Sequence, residues 1–176
     1  MKRRLTIVQN RPTQFDMPLY AQMHDSGDWD LQVIYTAVDE TDTVDRELGR
    51  APRWDQVLAT ADRGVYLSAS ARRDLNGLVG QIAAQRPELV ILCGYYPRLH
   101  ARLVGPLKRR GLIVGLRSDN TLLHSDFSGW KGQAKHLLLP FWLSRYDTWH
   151  PVGSLAQQYL EKLSRVQLPA YPFPYA

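Results

Sequence analysis

Short β-rich runs alternate with segments of helical period along nearly the whole of this chain, and no other feature narrows the choice of fold so far. The runs fall at residues 5–8, 31–35, 64–67, 89–93, 112–116 and 146–150. Strands that recur with helices between them pair in parallel, because each crossover returns the chain over a face of the sheet to the same starting edge. The expectation is an α/β fold: a doubly wound, mainly parallel, Rossmann-like sheet of about six or seven strands with helices on both faces. The runs at 89–93 and 112–116 are apolar at successive positions rather than alternate ones, the pattern of central strands covered on both sides.

The helical segments carry their own punctuation. Leu75, Leu78, Val79 and Ile82 recur at helical spacing before Arg86-Pro87, and Leu99, Leu103 and Leu107 before Arg110-Gly111. Pro97 suits a first helical turn, whereas Pro106 predicts a kink or early unwinding. Ser154 with Gln157 forms a capping box ahead of Leu155, Tyr159, Leu160 and Leu163, and Thr13 with Asp16 a similar pattern beside Phe15, Leu19 and Met23. Residues 36–63 are polar, acidic and without a period, which predicts a long surface excursion. Residues 169–176 hold three prolines and read as extended linker.

At 176 residues with 44% hydrophobic content the chain can bury one sizeable core. Its net charge of +5 permits phosphates, acidic lipid surfaces or nucleic acid. The cations are dispersed: Lys2-Arg3-Arg4 precede the first run, Arg72-Arg73 open a helix, and Lys108-Arg109-Arg110 close another, so no nucleic-acid partner is expected. Cys93 is the single cysteine, which forbids an internal disulfide and predicts a buried, inert thiol in a cytoplasmic protein. No secretory leader pattern opens the chain, and the longest apolar stretch, 137–143, is interrupted by Pro140 and far short of the ~20 residues that span a bilayer. Flanked by Lys131, Lys135, His136 and Arg145, that stretch either packs into the core or rests peripherally on an anionic membrane. Metal-ligand spacings, a P-loop and the Gly-x-Ser-x-Gly elbow are absent, and no glycine lies between Met1 and Ser26 to form a dinucleotide fingerprint. A receiver domain would need acidic residues after the first strand, where this chain has Asn10 and Arg11.

Ligands of open parallel sheets gather beyond the carboxyl ends of the strands. Those ends are polar: Gln9 to Pro12 after the first strand, Gly94 to Pro97 after the fourth, Arg117 to Asn120 after the fifth, and His150, Pro151 and Gly153 after the sixth. One crevice can collect all four groups. Asp119 can orient or deprotonate an attacking hydroxyl, and Arg117 can grip a phosphate or carboxylate with two hydrogen bonds. The alternative is a turn network in which Ser118 or Asp119 satisfies loose backbone donors. His150 is either a donor to phosphate or sugar hydroxyl or a satisfied structural histidine. Tyr95 and Tyr96 either stack on a sugar or pack beside the strand. Arg11 either reaches the crevice or points to solvent.

Taken in order, several segments resemble the N-terminal domain of group 1 (family 4) glycosyltransferases of the GT-B fold. They are Val8-Gln9-Asn10-Arg11-Pro12 running on to Leu19-Tyr20, Pro87-Glu88-Leu89 through Gly94-Tyr95, Gly111-Leu112-Ile113 through Arg117-Ser118-Asp119, and Pro151-Val152-Gly153 ahead of Tyr159-Leu160. Each motif is loose singly; the weight lies in their order and intervals over nearly the whole chain. The resemblance implies that residues 1–168 form the acceptor-side domain and residues 169–176 begin an interdomain linker. The nucleotide-sugar donor is then expected at a C-terminal domain outside these residues, with its characteristic pair of glutamates, and no metal or other cofactor here. Partners would be a sugar or lipid-linked acceptor, and this half alone would be inactive. Asp119 and Arg117 take the catalytic places, with Asn10, Arg11, Tyr95, Ser118 and His150 binding substrate. Many members carry a histidine just after the fifth strand, where this chain has Arg117-Ser118-Asp119. The competing expectation is a stand-alone α/β domain that binds a sugar, a phosphate or a protein partner without catalysis.

Overall fold

The computed structural model describes residues 2–36, 64–95, 98–123, 125 and 128–176. Six strands form one sheet: β1 (Arg3–Gln9), β2 (Trp29–Tyr35), β3 (Val65–Tyr66), β4 (Leu89–Cys93), β5 (Val114–Ser118) and β6 (Thr148–Pro151). Every pairing is parallel and the order is β3-β2-β1-β4-β5-β6, so the expected doubly wound α/β sheet is present. The chain starts in the middle, builds outward to β3, then crosses back to β4 and builds the other way. That reversal leaves a topological switch point between β1 and β4.

Among the described residues six helices accompany the sheet: α1 (Met17–Asp25), α2 (Ala69–Arg73), α3 (Leu75–Ala84), α4 (Arg98–Arg109), α5 (Gly129–Leu143) and α6 (Ser154–Leu163). Alternate strand side chains point to opposite faces, and the core divides accordingly. Leu5, Ile7, Leu31, Val33, Tyr35 and Ile91 pack with Met17 and Tyr20 of α1. Val8, Ile34, Val90, Leu92, Val114, Leu116 and Trp149 pack with the buried sides of α3 to α6. The two continuous apolar runs are interior strands: β4 sits beside β1 at the centre, and β5 lies between β4 and β6.

Boundaries differ from the sequence pattern in ways that matter. β5 starts at Val114 rather than residue 112, which draws Arg117 and Ser118 inside the strand and buries both. β6 starts at Thr148, and Tyr146 is a core residue ahead of it. Arg72 and Arg73 close α2 instead of opening a helix, and Asp74 caps α3 by accepting from the Gly77 amide at 2.9 Å. α4 continues through Pro106 to Arg109, so the early unwinding does not occur. The residue flanking α6 is Gly153; Ser154 is already helical, and the Gln157 amide donates to Glu161 at 2.8 Å rather than completing a capping box. Before α1 the Thr13 hydroxyl does accept from the Asp16 amide, at 3.2 Å. The excursion expected beyond Thr36, and Pro97, lie outside the described residues.

Residues 169–173 run parallel to β6 and extend its hydrogen bonding. The Trp149 amide donates to Pro169, Tyr171 to Trp149, and Phe173 to Pro151, at 2.9, 2.8 and 2.9 Å. Odd-numbered residues therefore face β6, and Pro172 occupies a position that faces away, where a missing N–H breaks nothing.

Under this segment the His150 ring lies flat against β5 at Gly115. A Cβ at residue 115 would stand 2.6 Å from both Cδ2 and Nε2 of His150 and 2.8 Å from the Thr148 hydroxyl. Gly115→Ala is expected to lower unfolding stability by about 1–3 kcal/mol through overpacking, read as a shifted urea midpoint with unchanged slope.

Candidate functional site

Beyond the carboxyl ends of β1, β4 and β5 lies a crevice of about 780 Å³ at the switch point. The loop after β1 brings Asn10 and Arg11 to it, the turn after β4 brings Gly94 and Tyr95, and the end of β5 brings Arg117, Ser118, Asp119 and Asn120. Gly94 turns the chain with φ +75°, a conformation that favours glycine, and so lets Tyr95 follow at the rim. Six of the seven site residues read from the sequence thus line one cavity.

Its floor is a buried ion pair. Arg117 Nη1 donates to Asp16 Oδ1 at 2.5 Å, with side chains 4% and 2% exposed. Oδ2 of the same carboxylate accepts from the Gln9 amide and the Thr13 hydroxyl, each at 2.7 Å. Tyr20 then donates to Gln9 Oε1 at 2.6 Å. The remaining faces of Arg117 are taken by the C-terminal segment: Nε donates to the Phe173 carbonyl at 3.1 Å and Nη2 to that of Pro174 at 3.3 Å, while the guanidinium lies 4.7 Å from the Phe173 ring centre and 5.0 Å from that of Tyr175. Burial alone would lower the Arg117 pKa, but Cys93, Asp16 and Tyr20 outweigh it and hold the pKa above its ordinary value. Arg117 is thus a charge at the cavity floor whose hydrogen bonds all go to protein groups.

Asp119 differs. It is exposed just past β5, and its Oδ2 accepts from the Tyr175 hydroxyl at 2.8 Å. Ser118 follows the turn-network reading, since its Oγ accepts from the backbone and side-chain amides of Asn120 at 3.2 and 3.1 Å. Tyr95 contributes its ring to the wall while its hydroxyl pairs with that of Tyr159 at 3.0 Å, and burial raises its pKa. Cys93 lines the cavity as well; burial pushes its thiol up to about 11, so it stays protonated near neutrality. Lys135, one of the cations that flank the apolar stretch 137–143, also reaches the cavity.

His150 does not join them. It is buried, its Nε2 lies 3.0 Å from the Thr148 hydroxyl, and its ring stacks on Tyr171 at 6.1 Å between centres. Burial, with a smaller contribution from the Arg117 charge, brings its pKa down to about 4 against an opposing hydrogen bond from the backbone at Tyr171. It is buried beside β5 and does not line the cavity. A second histidine, missed in the sequence, ties strand ends together: His100 Nδ1 lies 3.0 Å from the Cys93 carbonyl and Nε2 lies 3.1 Å from the Thr36 hydroxyl. A carbonyl only accepts, so Nδ1 carries the proton and Nε2 accepts from Thr36. Its only sequence signal is a polar residue on the buried face of α4. Among the described residues no group of three or more His, Cys, Asp or Glu is placed to hold a metal ion.

No protein-family model matches the chain, and no characterised protein matches it by sequence. Solved structures do. A candidate UDP-N-acetylglucosamine 2-epimerase from Listeria monocytogenes superposes with a TM-score of 0.59 at 16% identity, over 92% of this chain and 42% of its own. A UDP-N-acetylglucosamine 2-epimerase gives 0.60 at 14% identity, over 98% and 48%. Another, from Rickettsia bellii, gives 0.58 at 10%, over 97% and 44%. The likeness shows a shared fold, and this chain spans less than half the length of each.

Two expectations follow from the buried groups. Asp16→Asn keeps the shape but leaves Arg117 uncompensated, and should cost about 3–5 kcal/mol in chemical denaturation. Because the His150 pKa is lower folded than unfolded, the unfolded chain binds the extra proton between about pH 6.5 and about 4. The His150 contribution to stability is complete above that window and declines as pH falls through it. The melting temperature should drop over this range, and His150→Gln should flatten the drop.

Proposed function

We propose that this chain is the N-terminal, acceptor-side half of a GT-B-type enzyme that works on a nucleotide sugar, and that the reaction is transfer of the sugar to a hydroxyl of a glycan, lipid-linked or small-molecule acceptor. The observation that carries the reading is the exposed carboxylate of Asp119 beside a crevice at the switch point, with cationic Arg11 and Lys135 on its lining. An acceptor hydroxyl entering the crevice takes the place of the Tyr175 hydroxyl on Asp119, which orients it and accepts its proton as the new bond forms. Asn10 and Asn120 offer amide groups to further hydroxyls, and the Tyr95 ring offers a stacking surface. Arg117, committed to Asp16 and the C-terminal segment, is a positioning residue: it holds the end of β5 from which Asp119 projects. The nucleotide sugar binds at a second domain across the cleft, and the half described here transfers no sugar alone.

A second reading is favoured by the structural comparisons themselves: the corresponding half of a sugar-nucleotide epimerase, in which the crevice receives the sugar of the nucleotide sugar rather than a separate acceptor. Calorimetric titration of the 176-residue protein with oligosaccharides, UDP-N-acetylglucosamine and UDP separates the two. Glycosyl transfer predicts oligosaccharide binding, weakened about tenfold or more in Asp119→Asn because a charge-assisted hydrogen bond is lost, with no measurable affinity for UDP. Preferential binding of UDP-N-acetylglucosamine by this half overturns the acceptor assignment. Tyr175→Phe is expected to strengthen oligosaccharide binding, since it removes the competitor for Asp119.

A further inference from the structure

The outward face of α5 has no role in the crevice. Its buried side supplies Leu139 and Leu143 to the core. On the other side Trp130, Leu137, Leu138 and Phe141 are more than half exposed, at 77, 66, 53 and 51%, and Trp142 is 36% exposed. At 3.6 residues per turn these five side chains share an arc of about 140°, so the helix turns an apolar stripe to solvent where a surface helix ordinarily turns a polar one. A contiguous apolar surface of this kind marks an interaction site.

The charge around the stripe selects the partner. Residues 129–143 contain no aspartate or glutamate. The Arg165 guanidinium lies 3.7 Å from the centre of the Phe141 ring, the Arg145 guanidinium 5.2 Å from that of Trp142, and Lys135 follows on the crevice side. The nearby acid Asp147 is engaged by Lys108 at 2.7 Å. A second copy meeting this face through a two-fold axis would bring the same arginines against each other. Anionic headgroups would meet the cations while the apolar side chains and the two tryptophans enter the headgroup–acyl boundary, where indole rings are at home.

We infer that the outer face of α5 docks the protein on an anionic lipid bilayer. The helix lies along the surface and does not cross it; among the described residues no helix is long and apolar enough to span a membrane. The inference is independent of the reaction proposed above, because the lipids that test it carry no sugar.

Vesicle flotation of the 176-residue protein provides the test, with vesicles of phosphatidylcholine alone against vesicles containing about one-third phosphatidylglycerol. Binding to the anionic vesicles should exceed that to neutral ones by about tenfold or more and weaken as salt is added. Leu137→Ser with Phe141→Ser should abolish it while the protein stays folded with only a small drop in melting temperature, as both side chains are more than half exposed. Arg145→Gln with Arg165→Gln should reduce it about tenfold while leaving the apolar stripe in place. Absence of binding, or equal binding to neutral vesicles, overturns the inference. So does concentration-dependent dimerisation by light scattering that the Leu137–Phe141 double variant abolishes, because the stripe is then covered by a second copy.

Discussion

The Arg117–Asp16 ion pair is the constraint to which the rest of the crevice answers. A guanidinium inside an interior strand is tolerable only if every face finds an acceptor or a ring, and each partner comes from a different part of the chain. Asp16 comes from the turn before α1 and is itself held by Gln9 from the end of β1, and the carbonyls of Phe173 and Pro174 come from the C-terminal segment. Satisfying one charge therefore fixes the relative positions of three of the segments that form the cavity wall. The stability of the fold and the shape of the site rest on the same atoms, which is why changing Arg117 confounds any binding measurement and Asp119 is the cleaner probe.

Much of the architecture is legible in the sequence because it rests on local, repeated signals. Apolar runs, helical spacing and turn residues mark all six strands and the helices α1, α3, α4 and α6, whereas α5 is marked only by its apolar stretch at 137–143, and the polar strand ends collect Asn10, Arg11, Tyr95, Ser118 and Asp119 at one crevice. What escapes is set by distant pairing. Arg117 reads as a loop residue ready to grip a ligand, since its carboxylate partner lies 101 residues away and no local pattern joins them. His150 reads as a strand-end donor, and only the approach of Gly115 and Tyr171 shows it to be packing. The shift of β5 by two residues has the same origin: pairing between Cys93 and Arg117, and between Ser118 and Pro151, carries the strand past the end of the apolar run.

Identities of 10–16% with structures that share the fold over more than nine-tenths of the chain fit this division. The sheet asks only that apolar side chains recur on the right faces, a demand many sequences meet, whereas the residues at the strand ends are free to vary with chemistry. Lys135 belongs to both surfaces of α5, at the edge of the crevice and beside the apolar stripe, so a bilayer held by that stripe would lie next to the cavity opening.

The segment paired with β6 has a consequence for how these molecules meet one another. Unsatisfied backbone along the flank of a sheet invites strands from other chains and is a common start of ordered aggregation. Here that flank is occupied by the molecule's own residues 169–173, whose outward positions include Pro172, which has no N–H to offer an incoming strand. The opposite flank among the described residues is β3, two residues long. Among the described residues, growth by sheet extension is closed at one side and given minimal purchase at the other.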